Sequence, residues 1–418
     1  MRKIALLVLS LIFGGSAILA LRAGRSEAAP PMSASAAMLE ALRNSGDMPG
    51  QRRHIWDILA HLTAAPPNGT KDHRAFFENW HGEDELFSNT ASGISGIGGF
   101  SRTGTSALNS QSGAPVLTYT FYNEPAYRHI RGNRLNSTAE LDRLRQSGRP
   151  DDSIAGDRAL PVFPADSIVL KTVWWPVARD GLTALPVWDP EKNPPRPNGN
   201  PYINWQRVVA VDPATDVQAD AMVGIDFAGR NFPRARRIGI GAFYHVAVDA
   251  PMAGRMMRDP ETRKAVLIAL GRPLQAGDYL VLVAANMAAR EIPDWIWASF
   301  WWHDRPEQGV FAADRPQALQ APWRNYLMQT AFDSEKPEAA DAGPHTCFNP
   351  WLEGRFPDGG NGGGTASNCM ACHQRASYPP VAFLPVRRGA PDLRSDPAFA
   401  PGRLRTSFLW SLAMHAKP

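Results

Sequence analysis

Cysteine is scarce in this chain: three in 418 residues, Cys347, Cys369 and Cys372, all in its last fifth. An odd, clustered set excludes a disulfide framework, which spreads an even number along the sequence, and instead marks a local site. Excess charge of one sign is also missing. The 44 basic and 40 acidic residues leave a net charge of +4. The only compact basic clusters are "RARR" (Arg234–Arg237) and "VRRG" (Val386–Gly389), which read as solvated loops rather than a nucleic-acid footprint. No G-x-S-x-G or H-E-x-x-H occurs. "GISGIGGF" (Gly93–Phe100) neither follows a clear strand nor opens a helix, so its glycines carry no nucleotide reading. Long apolar runs are absent except one, Ile4–Leu21.

That run sets the compartment. It follows a positive "MRK" and precedes "SEAAP", with Ser26 and Ala28 at the small-residue positions of a cleavage site. Residues 1–28 are expected to be a signal peptide, or an N-terminal membrane anchor if uncleaved. Either way the rest of the chain is expected to be periplasmic or secreted, with no membrane span beyond this segment and no nucleic-acid partner.

Glycine (35) and proline (37) are plentiful and point to many turns. Residues 29–113 read as a helical region, with "SASAAMLEALRNSG", "QRRHIWDILAHLTAA" and "DHRAFFENWHGEDELF" in helical spacing, ending in a Gly/Ser-rich linker at Thr90–Gly113. Residues 114–310 read as a β-rich body. Strands are expected at Val116–Tyr122, Ser167–Val177, Leu182–Trp188, Trp205–Val211, Arg237–Val248, Asp278–Met287 and Asp294–Asp304, with helices at "TAELDRLRQSG", capped by its threonine, and "ETRKAVLIAL". In "WIWASFWW" both alternating sets are apolar, so this strand is expected to be covered on both faces, by core or by a ligand pocket. Beyond Asp304 the strand pattern fades, and "APWRNYLMQTAF" reads as a short helix. Residues 311–418 form a C-terminal segment packed on the body. The expected class is α+β, β-rich: an antiparallel sandwich or barrel-like sheet with helical decorations.

Within the C-terminal segment, Cys369-Met-Ala-Cys372-His373 is C-x-x-C-H. Two thiols three positions apart can add across the two vinyl groups of a haem, and the next histidine then lies under the iron as proximal ligand. The attachment takes place outside the cytoplasm, which the export signal satisfies. The expected cofactor is therefore one covalent haem c. The alternatives are a zinc site from His345, Cys347, Cys369 and Cys372, or a redox disulfide between Cys369 and Cys372. With haem in place Cys347 is left over, as a buried thiol. Only 45 residues (418 − 373) follow His373. So short a tail cannot enclose a haem, and the body must supply walls. Candidates for the opposite side of the iron are His345, Met414 and His303, then His245, Met328 and Met370; an open position is equally compatible.

The blocks "FPADSIVLKTVWWPV", "IGIGAFYHV", "PDWIWASFWWHDRP", "APWRNYLM" and "CFNPWLEGRFPDG…SNCMACHQRA" resemble exported bacterial cytochrome c family proteins, which carry a C-terminal C-x-x-C-H and have no assigned reaction. The resemblance spans roughly residues 116–376. It implies a single haem c on Cys369, Cys372 and His373, and identifies no substrate. The family often shows Glu-His after W-x-W-x-x-F; here the residues are "WWHD", with His303 displaced by one. The function expected is electron transfer to a redox partner protein. The alternatives are a haem-dependent oxidoreductase of peroxidase or oxygenase type, and a zinc-stabilised β-rich binding module.

Overall fold

The computed structural model describes residues 34–64, 75–87, 114–152, 154–193, 199–215, 221–334, 345–356, 367–380, 399 and 401–418. The expected signal segment and the Gly/Ser-rich linker lie outside the described residues.

Seven strands form the principal sheet, in the order His81–Gly82, Leu117–Tyr122, Ile168–Val177, Tyr279–Ala289, Ile296–Trp302 and Tyr326–Ala331, with His245–Ala247 also paired to Tyr279–Ala289. Every pairing in it is antiparallel. A second, four-stranded sheet runs Thr183–Val187, Arg207–Asp212, Arg230–Gly239, Met222–Phe227 and contains one parallel pair. Four two-residue strands make a third, which joins Leu404–Arg405 to Arg158–Ala159. The fold is thus α+β and β-rich; its sheets are not closed into a barrel. The principal sheet draws strands from all three regions of the sequence, since residues 81–82 and 326–331 flank those of the body.

Four expectations need correction. "RARR" (Arg234–Arg237) is not a loop but part of the strand Arg230–Gly239. Residues 237–248 are not one strand: Arg230–Gly239 ends in a 3-10 turn at Ile240–Ala242, and His245–Ala247 resumes in the other sheet. "APWRNYLMQTAF" is not a helix. A 3-10 turn at Trp323–Asn325 leads into the strand Tyr326–Ala331, whose six residues are all buried. Its pairing with Ile296–Trp302 outweighs its helical spacing. Helix Thr138–Ser147 has Ser137, not Thr138, at the cap position.

Both faces of the principal sheet are covered, as the all-buried strand Ile296–Trp302 requires. On one face Phe300 meets Trp56 of helix Met48–Thr63, and Phe121 meets Phe77. The other face has two apolar lids. At one end Trp175 packs on Phe227, and Trp301 on Trp188, within the larger core. At the other, Tyr122, Val169, Ala288, Trp297 and Ala331 join Cys369, Met370, Leu409 and Leu412 of the C-terminal segment in a separate cluster. Among the described residues no helix is long and apolar enough to cross a membrane.

Candidate functional site

The motif forms the helix Cys369–His373, which lies over the second lid. Asn368 starts it: its side-chain oxygen accepts from Met370 N–H at 2.9 Å, while its Nδ2–H donates to the Asp333 carbonyl at 2.8 Å. The helix entry is further tied to residue 347, because Cys347 N–H donates to Ser367 O (3.0 Å) and Cys369 N–H to Cys347 O (2.9 Å).

His373 is held by a second loop. Its Nδ1–H donates to the Phe408 carbonyl at 2.8 Å, and its ring sits 4.3 Å, centroid to centroid, from Trp297. Ser407 (φ 49°) and Phe408 (φ 66°) are consecutive non-glycine residues in the left-handed region, each costing about 1–2 kcal/mol. Ser407 Oγ accepts from Trp295 Nε1–H at 3.1 Å, which fixes this strained turn to the strand's entry. The result is one defined tautomer, with the lone pair on Nε2. Burial lowers the imidazole's pKa to about 4, so the ring is neutral over the ordinary pH range. Trp297 adds a buried indole N–H with no acceptor among the described residues.

Beside the motif a polar row crosses the sheet. Thr120, Lys171, Asn286, Ser299 and Gln329 are register partners on five adjacent strands, so their side chains share one face. The row separates the two apolar lids. Ser299 Oγ–H donates to Asn286 Oδ1 (2.9 Å), which also accepts from Asn349 Nδ2–H (2.8 Å). Having spent its proton, the Ser299 oxygen lies 3.8 Å from both Cys347 Sγ and Cys369 Sγ, as an acceptor for thiols. Gln329 Oε1 accepts from Phe348 N–H.

Two carboxylates face this row. Glu353 ends the short helix Pro350–Glu353, whose Trp351 is wedged among Trp175, Tyr202 and Trp205. Gly199 lets the neighbouring loop approach: at φ +76°, a Cβ there would lie 2.1 Å from the Arg355 carbonyl. Burial raises Glu353 to about 7, against the Asn349 N–H and the charges of Arg355 and Lys171, which lower it. Glu83, paired with His415 and bonded to Thr120, stays below its ordinary value although burial opposes this. Lys171 lies in the field of both carboxylates, and burial lowers its pKa. Burial pushes the Cys372 thiol up to about 12; the Trp410 indole beside it lowers it. Cys369 is raised well above a free thiol, first by its contact with Cys347 and then by burial.

The motif residues fit a haem c. A neutral imidazole with its Nδ1–H anchored and its Nε2 lone pair uncommitted could hold the iron of such a group. The orphaned Trp297 N–H beside it awaits an acceptor that the described residues do not provide. Of the other candidates, His345 is turned to Asp333, with Nδ1 and Oδ1 2.7 Å apart. His303 is six residues beyond Trp297, about 20 Å at strand rise. There its Nδ1 accepts from Arg305 N–H, beside the Arg207–Asp304 pair. His245 pairs with Val281, seven residues (288 − 281) from Trp297's partner Ala288, or about 23 Å along the sheet. Met328, opposite Phe300, faces the other core. Met370 is buried inside the motif helix, and Met414 is exposed on helix Trp410–His415. No group of three or more His, Cys, Asp or Glu residues able to hold a metal ion occurs among the described residues, so the four zinc candidates are not assembled there.

Sequence reasoning missed Lys171, Asn286, Ser299, Gln329, Glu353 and Glu83. Lys171 was visible as the one charge inside a long apolar strand; nothing local distinguished the rest. No protein-family model matches the chain, and neither a curated protein nor a solved structure matches it.

Proposed function

We propose that the chain is an exported monohaem c-type redox protein, with haem bound through Cys369 and Cys372 and held by His373. The observation that carries this is the His373 geometry: Nδ1–H committed to Phe408 O, in a neutral ring packed against Trp297 with Nε2 left as the donor. When bound, the haem supplies one-electron chemistry at its iron. The chain's own residues orient and tune. The Ser407–Phe408 turn fixes the imidazole plane, Trp297 and Met370 exclude water, and Lys171 places a positive charge near the histidine, opposed by Glu83 and Glu353.

A second reading, a haem-dependent oxidoreductase, is favoured by the polar row. Insulating an electron carrier needs only apolar walls, whereas Glu353 can hold and release a proton near neutral pH. Visible spectra of the reduced protein, made with haem-attachment machinery, test both. Haem that survives acid-acetone extraction is expected, and its complete loss on extraction refutes the covalent reading. A spectrum indifferent to carbon monoxide supports electron transfer, while a shifted one supports the oxidoreductase.

A further inference from the structure

The leftover thiol is not isolated. Cys347 and Cys369 are cross-bridged neighbours: Cys347 pairs with Asn368, and Cys369 N–H donates to the Cys347 carbonyl at 2.9 Å. The bridge partner of Cys347 is the residue just before Cys369, so the two cysteines are near neighbours; a disulfide accepts about 4.4–6.8 Å between Cα atoms. Both sulfurs converge on one atom, Ser299 Oγ, each at 3.8 Å, and the Cys369 thiol also reaches the Cys347 carbonyl at 3.2 Å. Cys372, by contrast, faces Trp410. Cys347 and Cys369 are therefore a thiol pair made by the fold, beside the pair that the motif spaces three apart in sequence.

We propose that in the haem-free chain Cys347 and Cys369 form a disulfide, which reserves the Cys369 sulfur and must be reduced before a thioether can form there. The oxidant is a disulfide donor, a protein or oxidised glutathione. Two cysteine S–H bonds and the donor's S–S bond break, one S–S bond forms between Cys347 and Cys369, and two electrons with two protons leave as two donor thiols. Addition of Cys369 to a vinyl group makes one C–S and one C–H bond and needs the free S–H, so the two fates exclude each other. The cross-link goes beyond the haem reading, which the same experiment can lose independently.

The test uses the full chain produced without haem, equilibrated in an oxidised/reduced glutathione buffer, then alkylated under denaturing conditions and digested. Peptide mass spectrometry is expected to join residue 347 to residue 369, leaving residue 372 alkylated. C372S should retain the link, and C347S should leave residue 369 alkylated. A Cys369–Cys372 link, or three alkylated cysteines at every glutathione ratio, overturns the proposal. In chain exported with haem-attachment machinery, C347S is expected to make haem content at least twofold less dependent on added reductant. Unchanged dependence overturns the gating role. If the 347–369 link forms but no variant ever acquires covalent haem, the haem reading fails and the cross-link stands.

Discussion

The two faces of the principal sheet are made by the same strands, one residue apart, yet they do different work. On one face the row Tyr119, Thr172, Ala285, Phe300 and Met328 is mostly apolar, and its one threonine returns its hydroxyl proton to the Tyr119 carbonyl at 2.9 Å. On the other face the neighbouring row, Thr120, Lys171, Asn286, Ser299 and Gln329, turns its polar atoms to each other and to residues 83 and 345–373. The first face stores packing energy. The second holds titratable groups out of water, which is costly unless they are paired. The first row buries a neutral phenol, Tyr119, but no charged side chain, whereas the second buries Lys171 beside Glu83 and Glu353, so the second row marks the site.

Four outcomes would break or sharpen that contrast. The largest is C369S/C372S, which should abolish acid-stable haem entirely while leaving far-ultraviolet dichroism unchanged; retained covalent haem would remove the motif from the site. Next is Phe300→Ala on the packing face, expected to cost about 3–5 kcal/mol in denaturant unfolding with the visible spectrum of the folded protein unaltered. A spectral change would mean the faces are not separable.

Third is the pH dependence of Glu353. Its folded pKa, raised from 4.5 to about 7, means the folded chain holds a proton that the unfolded chain releases between those values. Its contribution is present below pH 4.5 and lost as pH rises through 7, up to about 3 kcal/mol at 1.36 kcal/mol per pKa unit. E353Q should therefore gain stability over the natural chain as pH rises from 4.5 to 8, with a flatter profile in urea titrations. Parallel profiles would put Glu353 in contact with solvent. The smallest effect is Ser299→Ala, expected to cost about 1 kcal/mol and to speed alkylation of Cys347 and Cys369 relative to Cys372. Unchanged alkylation would deny that the hydroxyl holds the thiols.

Much of the scaffold was legible because the signals were local. Strands such as Ile168–Val177 and Tyr279–Ala289 declare themselves by β-branched and apolar runs. Helix Met48–Thr63 shows Asp47 at its cap and Pro49 in its first turn. Residues 326–331 misled because an apolar run at an edge has helical spacing in isolation and becomes strand only beside residues 297–302. The row across the sheet was illegible for a related reason. Thr120 and Gln329 are 209 positions apart (329 − 120) and share a line only through four successive strand registers, and a slip of one residue would turn each to the other face.

Sequence alone determined the chemistry offered: two thiols and an imidazole at C-x-x-C-H. Those features are covalent and local, so they survive without a fold. Tertiary structure alone decided which nitrogen of His373 is anchored, which cysteine neighbours Cys369, and which charges lie near the histidine. Each depends on Phe408 O, the 347–368 bridge and strand register, contacts between segments that only packing brings together.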